Sequence, residues 1–179
     1  VGGAGYIGSN MVLELKHQGY DPIILDNLST GFEKLVHAEF IKGDLGDMEL
    51  LNQIFQQHEI DAVFHFAAFS LVGESVEFPE KYYINNVSKT INLLHTMKNN
   101  NIDKFIFSSS AAVYGEPTEI PVKESAPTNP INPYGKTKLI VENILQDLAH
   151  FSNIRFVSLR YFNAAGADFH SHAGELHDP

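Results

Sequence analysis

The chain has 179 residues, 44% hydrophobic and 19% charged, which fits one globular domain with a sizeable core and excludes disordered and collagen-like classes. A formal net charge of −10 without any Lys/Arg cluster argues against a nucleic-acid surface, since a phosphate backbone would be repelled. The absence of cysteine rules out a disulfide frame or a thiolate metal site, and no apolar run reaches membrane-span length, so a cytoplasmic protein is expected.

Gly2-Gly3-Ala4-Gly5-Tyr6-Ile7-Gly8 opens the chain, and a helix is expected from Ile7 to Gln18, stopping at Gly19. A glycine loop of this kind normally follows a strand, yet only Val1 precedes it, so the first strand is nearly absent and the sequence reads as clipped at both ends. Strand signals follow at Pro22 to Asp26 and Phe40 to Lys42. Asp47 is placed to cap a helix with Leu50, Leu51, Ile54 and Phe55 at core spacing. A strand at Ala62 to Phe66 leads into Ala67-Ala68, and His65 within it is read as a core histidine. One long helix is expected from about Pro79 to Asn99, with Ile84, Val87, Ile91, Leu94 and Met97 as its apolar stripe. A strand at Lys104 to Ser108 enters Ser108-Ser109-Ser110, and Gly115 to Pro133, with five prolines, is read as an ordered loop over a site. A helix follows Tyr134 with Leu139, Ile140, Ile144 and Leu148 inward, then a strand from Ile154 to Tyr161. His170, His172 and His177, in a Gly-rich stretch without helical spacing, are read as loop histidines and not as a metal site. Strands alternating with helices imply an α/β fold, a doubly wound parallel sheet, with residues 1–179 forming one dinucleotide-binding domain.

The chemistry concentrates at three places. Gly2, Gly5 and Gly8 allow a tight turn and close backbone approach to a pyrophosphate facing a helix N-terminus. Asp26 ends the next strand where a dinucleotide fold puts its ribose-binding acid; a carboxylate there would repel a 2′-phosphate, so NAD is favoured over NADP. Asp44 is either a turn residue or a contact for the adenine edge. Tyr134 and Lys138, four apart, project from one helix face. A phenol working as a base near neutral pH needs a downward shift of roughly 3 units, about 4 kcal/mol, from its usual pKa of about 10. A nearby ammonium supplies that sign.

With the glycine loop, Asp26, Phe66-Ala67-Ala68, Ser108 through Gly115 and Tyr134-x-x-x-Lys138 in this order, the chain resembles the extended short-chain dehydrogenase/reductases, and among them the sugar-nucleotide 4-epimerases. Gly73-Glu74-Ser75, Tyr82-Tyr83, Asn85-Asn86 and Leu159-Arg160-Tyr161-Phe162-Asn163 add to the likeness. The resemblance implies cofactor contacts from Tyr6 and Ile7, from Asp26, Asn27, Leu28, Ser29, Thr30 and Gly31, from Asp44 and Leu45, from Phe66, Ala67, Ala68 and Ser70, and from Asn85 and Phe162. It puts Ser110, Tyr134 and Lys138 at the catalytic positions, against both cofactor and substrate, with Asn163 beside the substrate. The implied activity is NAD-dependent inversion of carbon 4 of a UDP-hexose through a 4-keto sugar, in a homodimer formed through the helices near Pro79 and Tyr134. Those apolar faces could equally pack on the sheet. Ser70 departs from family members that carry a lysine there, and Ser110-Ala111-Ala112 replaces the Thr-Asp-Glu of the related dehydratases. The likeness further implies a smaller substrate domain after Pro179, so this chain by itself is expected to be inactive. A UDP-glucuronate epimerase or decarboxylase, and a catalytically silent NAD-binding regulatory protein, are the alternatives.

Overall fold

The structure, a computed structural model, describes residues 1–168 and 173–176. His170, His172 and His177 lie outside the described residues. Strands β1 (Ile23–Asp26) and β2 (Glu39–Lys42) pair in parallel, Ile23 opposite Glu39. Strands β3 (Val63–His65), β4 (Lys104–Ser110) and β5 (Arg155–Tyr161) form a second parallel ladder, with Phe105 opposite both Val63 and Phe156. Val1 and Gly2 stitch the two ladders together. Gly2 N–H donates to Leu25 O (2.9 Å), and Phe66 N–H donates to Val1 O (2.9 Å). The resulting order is β2, β1, Val1–Gly2, β3, β4, β5, with β5 at one edge. The chain moves outward from Val1 on one side and on the other from β3, so the switch point falls between them, where doubly wound sheets bind ligands.

Ile24 and Leu25 are adjacent and both buried, so β1 is covered on both faces, as parallel sheets require. On one face Leu25, Val63, Phe105 and Phe107 pack with Leu51 and Ile54 of α2 (Met48–Gln57), Leu93, Leu94 and Met97 of α5 (Lys89–Asn99), and Val141 and Leu145 of α6 (Pro133–Phe151). Helix α1 (Tyr6–His17) ends as expected: Gly19 takes φ +84°, Gly19 N–H reaches Lys16 O, and Tyr20 N–H reaches Leu15 O. Asp47 caps α2 through Leu50 N–H at 3.0 Å, and Asn132 caps α6 through Gly135 N–H at 2.8 Å.

Two helical expectations are corrected. The segment Pro79 to Asn99 is not one regular helix: α4 (Pro79–Tyr82) leads into a π-helical turn, Tyr83–Ser88, before α5, and a short α3 (Val72–Glu77) precedes it. The extra residue per turn rotates the inward face, so Tyr82, Asn86 and Thr90 are buried while Ile84 and Ile91 are 57% and 45% exposed. On α6 the fully buried apolar positions are Val141 and Leu145; of the expected positions Ile144 and Leu148 pack against that core, while Leu139 and Ile140 are partly buried. Strand β4 runs two residues beyond Ser108, because Ser109 and Ser110 pair with Arg160 and Tyr161. No helix among the described residues is long and apolar enough to cross a membrane.

Candidate active site

The glycine loop makes a phosphate-sized cradle for two separate reasons. Gly2 adopts φ +77°, and a Cβ there would lie 2.4 Å from Ala67 N; a Cβ at Gly8 would lie 2.1 Å from Gly2 O. Those two glycines are demanded by close backbone packing. Gly5 is different: a Cβ would meet nothing nearer than Gly2 O at 3.7 Å, so the protein's own atoms do not require glycine there. Gly5 is the N-cap of α1, which has no side-chain cap, unlike α2 and α6, and no acid in its first turn. Its free amides and bare Cα face a cleft, which is the chemistry of an anion held on a helix N-terminus. The residues present fit a dinucleotide.

That cleft lies at the switch point. Of the residues expected at the cofactor, it brings together Gly2, Gly5, Asp26, Asn27, Ser29, Thr30, Gly31, Asp44, Leu45, Phe66, Ala67, Ala68 and Asn85. Asp26 fixes the loop as well as lining the cleft: its oxygens accept from Ala4 N–H (2.9 Å) and Leu28 N–H (2.8 Å), Leu28 taking φ +59°. Asp44 accepts from Gly46 N–H, Asn27 Nδ2 and Lys89 Nζ, each at 2.7 Å. Against the penalty of partial burial, these bonds hold its carboxyl below the usual range. Lys89, unforeseen from the sequence, lines the same cleft, as do Phe69 and Gly43. Its one sequence signal was the spacing of four from Asn85.

The π turn positions this wall. Asn86 accepts from Phe69 N–H (2.9 Å) and donates to Phe69 O (3.0 Å), imitating a strand partner, and also donates to Thr137 Oγ1 (3.2 Å) on α6. Neighbouring Asn85 is thereby turned to the cleft. His65 is buried, with Nε2 2.7 Å from Thr90 Oγ1; since Thr90 donates to Asn86 O, the imidazole is the donor in that bond. Burial, with the Lys138 charge, holds His65 well below the usual imidazole range, as a core histidine.

Ser110, Tyr134 and Lys138 meet where β4 ends against the start of α6. Lys138 is 3% exposed, and its ammonium donates to Ser108 O at 2.6 Å and stands 4.9 Å from the Phe107 ring centroid. Burial pulls it down to about 7, while the Glu142 charge pulls the other way. Burial pushes the Tyr134 phenol up, and the Ser110 hydroxyl, hydrogen-bonded to it, pulls it down. The Lys138 ammonium is 5.8 Å from the Tyr134 ring centroid and donates to the Ser108 carbonyl.

The other expected residues lie around this core. Tyr6, Ile7 and Gly8 form the first turn of α1, and the Tyr6 hydroxyl donates to Gly166 O (2.6 Å), drawing the segment after β5 toward the loop. Ser70 and Asn163 are exposed, Phe162 is 69% exposed, and none of the three lines the cleft. The described residues contain no group of three or more His, Asp or Glu side chains placed to hold a metal.

Residues 1–177 match the model of the NAD dependent epimerase/dehydratase family. The chain is 52% identical over 179 residues to UDP-glucose 4-epimerase of Halalkalibacterium halodurans, covering 99% of this chain and 54% of that protein. UDP-glucose 4-epimerase of Lactobacillus helveticus is 49% identical over 181 residues, covering 100% and 55%. The solved UDP-glucose 4-epimerase of Brucella ovis in complex with NAD superposes with a TM-score of 0.97 at 49% identity, covering 99% of this chain and 55% of that one. That of Bifidobacterium longum with NAD+ and UDP gives 0.92 at 42%, covering 97% and 55%. The chain spans about half the length of the curated relatives it matches.

Proposed function

The chain belongs to the NAD dependent epimerase/dehydratase family, and on that footing we propose that it carries the dinucleotide and acid–base half of an enzyme that inverts carbon 4 of a UDP-hexose, interconverting UDP-galactose and UDP-glucose. The observation that carries this reading is the meeting of Ser110, Tyr134 and Lys138 beside a cleft whose glycine loop leaves room for a pyrophosphate. The α1 N-terminus would hold the phosphates, Asp26 and Asn27 would meet the adenosine ribose, and Phe66 to Phe69 would wall the cofactor. NAD would supply the hydride acceptor and donor, and its positive ring together with the Lys138 ammonium would pull the Tyr134 phenol down. Tyr134 then takes the proton from the carbon 4 hydroxyl and later returns it, while Ser110 hydrogen-bonds the same oxygen. The 4-keto sugar turns between the two steps and receives the hydride on its other face. NAD ends each cycle unchanged, so the site has to retain it.

A second copy of the chain is the proposed partner, seated on the exposed apolar residues Leu71, Val76, Phe78, Ile84 and Ile91. A cysteine-free chain with no membrane-crossing helix among its described residues suits a cytoplasmic location. The test is conversion of UDP-galactose to UDP-glucose without added NAD by the full-length gene product and its Tyr134→Phe variant. Turnover by the parent with NAD retained and turnover lost in the variant is expected. An active variant sinks the assignment of the base, and a parent that holds NAD but converts neither sugar sinks the substrate assignment.

A further inference from the structure

One buried acid next to the acid–base pair has no part in the reading above. Glu142 follows Lys138 by four positions, as Lys138 follows Tyr134, so the three form a row along one face of α6. Its carboxylate is 2% exposed, and both oxygens are engaged. Oε1 accepts from the Ser109 hydroxyl and from Arg160 Nε (3.0 Å); Oε2 accepts from Arg160 Nη2 (2.6 Å) and Nε (3.2 Å). Arg160 is itself gripped, with its guanidinium 4.8 Å from the Tyr114 ring centroid and Nη1 donating to Tyr114 Oη (2.9 Å) and Glu124 O (3.3 Å). The Glu142 carboxylate has been taken out of water beside a partly exposed guanidinium, and apolar side chains of equal volume often serve stability as well or better. The placement of this pair one helical turn behind Lys138 therefore calls for a role beyond holding the fold.

The groups facing Lys138 are few. Its own helix presents Tyr134 and Glu142; β4 presents the Ser108 carbonyl and the Phe107 ring; β3 presents His65, a neutral imidazole; and β5 presents Arg160, beyond Glu142. Glu142 is thus the anion of the set, opposing the loss of the proton that burial favours. We propose that Glu142 is a positioning residue: clamped by Arg160 and Ser109, its carboxylate keeps Lys138 an ammonium docked on the Ser108 carbonyl, and Arg160 ties this row to the Gly115–Pro133 loop. The catalytic meaning of this rests on Lys138 serving Tyr134 as proposed above; the electrostatic link does not.

The test is a titration of lysine 13Cε resonances by NMR in the full-length gene product, with the Lys138 signal assigned by its loss in Lys138→Arg. Glu142→Gln is expected to lower the Lys138 midpoint by about 1 unit, the low end of what one neighbouring opposite charge supplies. If that variant does not fold, Glu142→Gln combined with Arg160→Met removes both members of the ion pair and is expected to give a smaller fall. An unchanged midpoint in a folded variant overturns the proposal. A midpoint raised toward that of an ordinary amine also overturns it, since loosened packing alone would do that. In the full-length gene product, Glu142→Gln should shift the alkaline limb of kcat to lower pH, with Glu142→Asp restoring part of it. A parent without epimerase activity would defeat the proposed function while leaving the NMR result intact.

Discussion

Lys138 shows how a functional charge burdens the fold that holds it. Its folded pKa of about 7 lies below its ordinary 10.5, so between those values the unfolded chain binds a proton the folded chain does not, and stability rises with pH through that window. Below pH 7 the penalty is complete, about 5 kcal/mol before the lost Ser108 bond is counted. Lys138→Met should therefore be more stable than the parent at pH 6 and lose that advantage by pH 10, as read by urea unfolding; an advantage independent of pH would contradict the assignment. Lys89 offers a second test. It is paired with Asp44 in a cleft that also holds Asp26, and Lys89→Met would leave two carboxylates facing a dianionic pyrophosphate. NAD binding should weaken about 5- to 10-fold in low salt, roughly 1 kcal/mol, with the loss shrinking in high salt; titration calorimetry would show it. Unaltered affinity would mean that Lys89 serves Asp44 alone. Asp26, Ser110, Tyr134 and Lys138 were legible in the sequence because their motifs are local. Lys89 and Glu142 were not, because Asp44 is 45 residues from the first and Ser109 is 33 from the second.

Among the elements, the π turn Tyr83–Ser88 shapes the cleft most directly. Asn86→Leu would strip Phe69 N–H and C=O of partners in a partly buried place, at about 2–4 kcal/mol for the two groups. The expected outcome is a lower urea midpoint together with weaker NAD binding, because Phe69 belongs to the cleft wall; a variant destabilised with NAD affinity intact would separate the two roles. This turn was not legible beforehand, because the apolar stripe from Ile84 to Met97 assumes 3.6 residues per turn. The structure instead buries polar Asn86 and Thr90 and exposes Ile84 and Ile91. The serines ending β4 were undercounted for a related reason: Ser109 and Ser110 have low strand propensity, and pairing with Arg160 and Tyr161 overrides it. Strand β1, the Asp47 cap and the Gly19 stop were readable because their signals are short-range.

At the scale of the whole molecule, the proposed second copy makes a plain claim about mass. Sedimentation at micromolar concentration should show a dimer, and replacing Ile84 and Ile91 with glutamate should give a monomer; a parent that stays monomeric removes this face from the interface. The alternation of helix and strand made the doubly wound sheet legible, but not the way its middle is joined. Gly2 N–H on Leu25 O and Phe66 N–H on Val1 O join the two ladders, and β1 and β2 share four paired positions whereas β4 and β5 share seven. Amide hydrogen exchange should therefore be graded across the molecule, with Leu25 and Ile41 losing their protons to deuterium well before Phe105 and Phe107. The cleft straddles the junction of the two ladders, with Asp26 and Asp44 on one bank and Ala67 and Asn85 on the other. A dinucleotide bound across it would act as a splint, slowing exchange on the β1–β2 bank far more than in the interior of β4.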